Sequence, residues 1–123
     1  MERKMAYRNY KDLTVWQKAM DLTEEVYRLV KNLPKEEIYA LSDQIRRAVV
    51  SVPSNIAEGQ GRESKNEFRS FLSVAKGSLS ELETQLLICV RLKYFTEADI
   101  KIALSLSNEI DRMLTTLILN LKT

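Results

Sequence analysis

The apolar residues of this chain recur at alternating steps of four and three, the spacing that lines one face of an α-helix. The first stripe runs Val15, Ala19, Leu22, Val26, Leu29 and Leu33. Trp16, Met20, Tyr27 and Val30 widen it to the breadth a bundle helix buries. Thr14 and Gln17 match the S/T-x-x-E/Q capping box that opens a helix. Pro34 ends it by pushing Leu33 out of the α region. A second stripe, Ile45, Ala48, Val49, Val52 and Ile56, predicts a helix from about Ser42, as N-cap, to about Glu58. Pro53 lies inside it, and the lost ladder bond and crowding against the Val49 carbonyl predict a kink. Gly59 and Gly61 then read as a C-terminal stop.

The third stripe is the most regular: Phe68, Leu72, Ala75, Leu79, Leu82, Leu86 and Cys89 follow a 3.5-residue period, the seam of coiled-coil-like packing. Ser64 and Glu67 form a second capping box at its start, and it should reach about Tyr94. Thr96 is expected to cap a fourth helix, with Glu97 and Asp99 suiting its positive N-terminal dipole. The stripe there is Ile100, Ala103, Ser107, Ile110, Leu114, Leu117 and Leu121. Short connections force neighbours to run antiparallel. The expected fold is all-α: one antiparallel up-down-up-down four-helix bundle over residues 1–123, with 1–13 as an N-terminal arm.

Composition removes most site chemistries. The chain has no His and one Cys, so a His-bearing zinc site, a di-iron Glu-x-x-His site and any His-activated nucleophile are excluded. The pair Gly59-x-Gly61 lacks the third glycine and the preceding strand of a phosphate-binding loop. No catalytic residue, metal or cofactor is therefore expected, and the chain reads as a non-enzyme. Cys89 lies on the apolar seam and reads as a small core residue. No apolar run approaches the ~18–20 residues that span a bilayer. The first residues, MERKMAYRNYKD, lack the apolar stretch of a signal peptide, and a cytoplasmic location is expected.

Net charge is only +2, but it is uneven. Residues 1–11 and 46–76 each sum to +3, leaving −4 on the rest. Arg46, Arg62, Lys65, Arg69 and Lys76, around the second helix–helix turn, are the candidate nucleic-acid contacts. Glu58, Glu63 and Glu67 interrupt that cluster, and the competing reading is an ordinary solvated surface. A second polar stripe crosses helices two and three. Gln44, Arg47, Ser51, Asn55 and Glu58 align on one, and Ser73, Gly77, Ser78, Glu81 and Gln85 on the other. It reads either as a solvated face or as a structural seam in which Arg47 faces Glu58 or Glu81. Acid–base catalysis by Glu58 and Glu81 is the remote third reading, since no pocket is evident. Gly77, mid-helix, costs ~1 kcal/mol relative to alanine and marks a close approach.

The run from Ser42 through Gly59, containing SVPSNIAEG and followed by Gly61-Arg62, resembles the signature of the four helix bundle proteins. These are also called the large-subunit rRNA intervening-sequence proteins. Leu13-Thr-Val-Trp-Gln-Lys-Ala at the first helix and Phe68, Phe71, Leu72, Ala75, Gly77-Ser78-Leu79 and Glu81-Leu82-Glu83 on the third agree with it. Lys93 departs, standing where the pattern has a small residue such as glycine. The resemblance covers nearly the whole chain. It implies a homo-oligomer, a pentamer in this family, with no catalytic activity. It is also similar, more distantly, to accessory proteins that work with a reverse transcriptase and nucleic acid. The signature positions it maps here are Gln44, Arg47, Ser51, Asn55, Glu58, Gly59, Arg62 and Glu81. The expected function is thus RNA or DNA binding by a homo-oligomeric bundle. The alternative is a protein–protein adaptor without nucleic-acid contact, using Tyr7, Tyr10 and Trp16 of the N-terminal region, residue types enriched at interfaces.

Overall fold

A computed structural model describes residues 9–122. The basic and aromatic residues Arg3, Lys4, Tyr7 and Arg8 of the N-terminal arm lie outside the described residues. Four α-helices follow a short 3₁₀ turn at Tyr10–Asp12: α1 (Thr14–Val30), α2 (Leu41–Gln60), α3 (Lys65–Arg91) and α4 (Lys101–Asn120). A second 3₁₀ turn, Lys35–Glu37, joins α1 to α2. Each helix packs on two neighbours, so α1, α2, α3 and α4 stand at the corners of a four-helix bundle.

Side-chain bridges fix the relative directions. Ser51 meets Ser78, and Gly59 lies against Phe68 and Phe71, so α2 and α3 run antiparallel. Lys76 reaches Asp111 and Arg69 reaches the Leu121 carbonyl, which does the same for α3 and α4. Lys18 pairs with Glu109 to tie α1 to α4. The apolar stripes supply the core: Leu22, Ile45, Ile56, Leu72, Leu79, Leu82, Leu86, Ile110 and Leu114 are each fully buried.

Helix starts depart from the expected caps in three places. The N-cap of α1 is Leu13, and Thr14 is already helical; Gln17 donates its amide to the Lys11 carbonyl (2.9 Å), stapling the 3₁₀ turn to the helix. The N-cap of α2 is Ala40, and Ser42 is buried within the first turn; Glu37 accepts from the Leu41 amide instead (3.3 Å). Ser64 does cap α3, accepting from the Glu67 amide at 3.0 Å. Thr96 and Asp99 exchange hydrogen bonds, 2.8 Å and 3.1 Å, as a capping box whose second member is aspartate. Regular α4 begins only at Lys101 with Ile100 as its N-cap, so Thr96 closes the preceding turn and does not cap α4.

Of the two glycines expected to stop α2, Gly61 does and Gly59 does not. α2 runs through Pro53 and Gly59 to Gln60, so Gly59 is not its stop. A Cβ at Gly59 would lie 2.6 Å from Phe71 Cβ and 3.0 Å from Phe68 Cδ1, so the glycine lets α3 approach. Gly61 is the C-cap and sits in right-handed geometry (φ −78°), the left-handed glycine cap being absent there. At the end of α3 the opposite holds. Tyr94 N–H bonds the Cys89 carbonyl (2.9 Å) and Lys93 N–H that of Val90 (3.0 Å), a Schellman motif whose left-handed residue is Lys93 (φ 69°). A glycine is the default there, and a side chain costs roughly 1–2 kcal/mol.

Cys89 is fully buried, and desolvation, with Glu37 adding to it, pushes its thiol up to about 11. At pH 8 the thiolate fraction alone then slows alkylation by about two orders of magnitude relative to an unshifted thiol. Iodoacetamide labelling of the native protein at pH 8 should therefore track unfolding, and rapid labelling without urea would contradict this burial.

Candidate functional site

The polar seam exists, but in a form smaller than the sequence suggested. Its centre is three side chains: Ser51 and Ser78 share a hydrogen bond of 2.8 Å across α2 and α3, and Asn55 donates to the Ser51 carbonyl (2.7 Å) and Oγ (2.8 Å). Asn and Ser are poor helix-interior residues unless their groups are bonded, and here they are. The expected charged partners stay apart. Arg47 pairs with Asp43 one turn back (3.1 Å), not with Glu58 or Glu81, and Glu58 pairs with Arg62 (2.8 Å). The reason is desolvation: each cation finds a carboxylate four residues earlier in the chain at the exposed surface, where pairing needs no burial. Gln44 is exposed, and among the described residues Glu81 hydrogen-bonds only with Gln85, at 3.5 Å. Gln85 is 5% exposed, with its Oε1 lacking a donor among the described residues.

The five nominated cations do not form one free patch. Arg62 spans Glu58 and the face of Phe71, its Cζ 4.9 Å from the ring centroid. Arg69 donates to Asn66 (2.7 Å) and to the Leu121 carbonyl (3.0 Å), satisfying the open end of α4. Lys76 is held by Asp111 (2.9 Å) and by Thr115 (2.5 Å). Arg46, on α2, and Lys65, the first residue of α3, make no side-chain bond with the described residues. Trp16 stacks edge-on with Tyr10 (centroids 5.3 Å apart) and packs partly against the core. Among the described residues no three carboxylate or cysteine side chains gather where a metal ion could sit. An open cleft lies between the start of α1 and the end of α4, lined by Asp12, Thr14, Glu109, Arg112, Met113 and Asn120.

One face was only half legible. Outward on α3, Ser70, Ser73, Gly77, Ser80 and Thr84 form a line of small residues, flanked by exposed Val74 (52%), Leu87 and Ile88. Val50 of α2 is exposed as well. The glycine signalled a close approach, yet a Cβ at Gly77 would meet nothing within 4 Å. Nor did periodicity pick out Tyr39, which is 95% exposed between the 3₁₀ turn and α2. A lone aromatic in a connection carries no pattern to read.

Among curated proteins none matches the chain. A crystal structure of a protein of unknown function from the S23 ribosomal protein family of Bacteroides thetaiotaomicron VPI-5482 is similar to it. The two are 27% identical with a TM-score of 0.80, over 89% of this chain and 100% of that one. The family profile described as 23S rRNA-intervening sequence protein matches residues 11–116, which spans all of α1, α2 and α3 and most of α4. The chain therefore belongs to the 23S rRNA-intervening sequence protein family.

Proposed function

We propose that this protein is a non-enzymatic assembly module whose copies associate through the outward face of α3 and whose assembly binds nucleic acid. Gly77 carries the reading. A glycine in the interior of an exposed helix face is destabilising by ~1 kcal/mol, and among the described residues it makes room for nothing. A second copy crossing α3 there accounts for both facts and for the exposed Val74 beside it, and one running along α3 would also reach the exposed Leu87 and Ile88, about three turns on. The family resemblance implies five copies. Repetition of a chain with a formal charge of +2 would turn a weak field into a substantial one. The intervening-sequence family name, tied to ribosomal RNA, supports nucleic acid as the partner.

The runner-up is a protein–protein adaptor. The engagement of Arg62, Arg69 and Lys76 within the subunit favours it. Two measurements in one buffer separate the readings: light scattering for mass, and anisotropy of a labelled structured RNA titrated at several salt concentrations. The assembly reading expects a multimer whose mass falls to that of the 14.2 kDa subunit when Val74 and Leu87 are both changed to glutamate. The nucleic-acid reading expects affinity that falls steeply with salt. A multimer that binds no RNA at low salt leaves the adaptor, and a wild-type monomer removes the assembly.

A further inference from the structure

Both connections at one end of the bundle, residues 31–40 between α1 and α2 and residues 92–100 between α3 and α4, are joined by a single bond. Tyr94 donates its hydroxyl to Glu37 Oε2 at 2.7 Å. Two residues beyond Glu37 is Tyr39, with 95% of its surface exposed. Next to Tyr94 is Lys93, in the left-handed conformation (φ 69°) that glycine adopts without strain. A lysine retained against that preference has its charge to offer, and no described residue takes it up. The same holds for the exposed Lys31, Lys35 and Arg91 at this end: none makes an ion pair or a side-chain hydrogen bond with the described residues.

The acids there, Glu36, Glu37, Glu97 and Asp99, equal these cations in number; Glu37 accepts from the Tyr94 hydroxyl and the Leu41 amide and Asp99 from the Thr96 amide, neutral donors all, while the four cations stay outside any ion pair with the described residues. The situation reverses that of the cations around the α2–α3 turn, where three of five are consumed by the subunit itself. An exposed aromatic ring among uncommitted cations is the elementary combination for a single strand: the ring stacks on a base and the cations meet the phosphates on either side.

Building on the nucleic-acid binding set out above, we propose that this end of the bundle is a single-stranded RNA or DNA contact, with Tyr39 as the stacking platform and Arg91, Lys93 and Lys35 as the phosphate contacts. A duplex hides its base faces and offers Tyr39 nothing to stack on, so single strands are preferred. Each phosphate contact contributes about 0.7 to the slope of log affinity against log salt for a single strand.

The test is anisotropy of a fluorescein-labelled 12-nucleotide uridine RNA and of a 12-base-pair RNA duplex, using the full chain. The wild type should bind the single strand more tightly than the duplex. Tyr39→Ala, whose side chain touches almost nothing in its own subunit, should weaken single-strand binding on the order of ten-fold with the salt slope unchanged. Lys93→Gly should lower the slope by about 0.7 while raising the melting temperature, because it removes the left-handed strain. A stabilised protein that binds less well cannot be explained by misfolding. If Tyr39→Ala and Lys93→Gly bind like the wild type while Arg46→Ala and Lys65→Ala weaken the complex, the contact lies elsewhere: this proposal falls and nucleic-acid binding stands. If neither RNA binds at low salt, both fall.

Discussion

Gly59→Ala should destabilise the subunit by about 1–2 kcal/mol net, although alanine is the better helix former. The added methyl would sit 2.6 Å from Phe71 Cβ and 3.3 Å from the Phe68 carbonyl oxygen, atoms that move only if α3 moves. Overpacking of this kind typically costs about 1–3 kcal/mol, against which helix propensity returns up to ~1 kcal/mol. Urea unfolding should show a lower midpoint with an unchanged slope. A second variant identifies the cause. Phe71→Ala keeps the offending Cβ, so Gly59→Ala must remain harmful in a Phe71→Ala background. Were Gly59 merely the stop its position suggests, Gly59→Ala would be neutral or stabilising, and a raised midpoint would dispose of the packing account.

Gly77 should behave in the opposite sense. In the dilute, dissociated subunit Gly77→Ala is expected to stabilise by about 0.5–1 kcal/mol, since nothing within 4 Å resists the methyl. Gly77→Phe should leave the subunit folded and loosen the assembly, by roughly 5- to 150-fold per contact if 1–3 kcal/mol is lost to overpacking. Urea unfolding at low concentration and sedimentation across a concentration series read the two effects separately. An assembly that keeps its mass and affinity with phenylalanine at 77 would mean that no helix crosses α3 at that point. Two glycines 18 residues apart thus meet different surroundings: a methyl at Gly59 strikes α3, and one at Gly77 meets none of the described residues.

The bundle itself was legible because burial is periodic: the stripes from Val15 to Leu114 are the residues that close the core. The caps were less so. Thr14 and Ser42 have the right chemistry one or two residues from the observed starts, and what decides those starts is a contact from outside the motif, Gln17 to Lys11 and Glu37 to Leu41. The polar seam was found as a set of positions, and Ser51, Asn55 and Ser78 do bond there. Its pairing was not found, because a sequence does not say whether Arg47 will cross to another helix or turn back to Asp43. The basic cluster shows the same blindness. Charge counting sees Arg69 and Lys76 as available cations, whereas tertiary structure spends them on the end of α4 and on Asp111. Lys93 is the reverse case: the family pattern marked it as a departure, and its backbone angle shows what glycine would have supplied.

The way α4 is attached sets an order of opening within the fold. Between Lys101 and Asn120 it buries only Ala103, Ser107, Ile110 and Leu114, against eight residues on each of α2 and α3. Leu104, Leu106, Met113, Leu117, Ile118 and Leu121 pack on the core only partly buried, and its polar ties are partly exposed: Lys18 to Glu109, Lys76 to Asp111, and Arg69 to the Leu121 carbonyl. Interactions of that kind weaken as ionic strength rises, while the close contact at Gly59 does not. The molecule is therefore a durable α2–α3 hairpin with a lighter fourth strut, and its lowest-energy partial unfolding is the release of that strut, with amides of α4 exchanging before those of the hairpin.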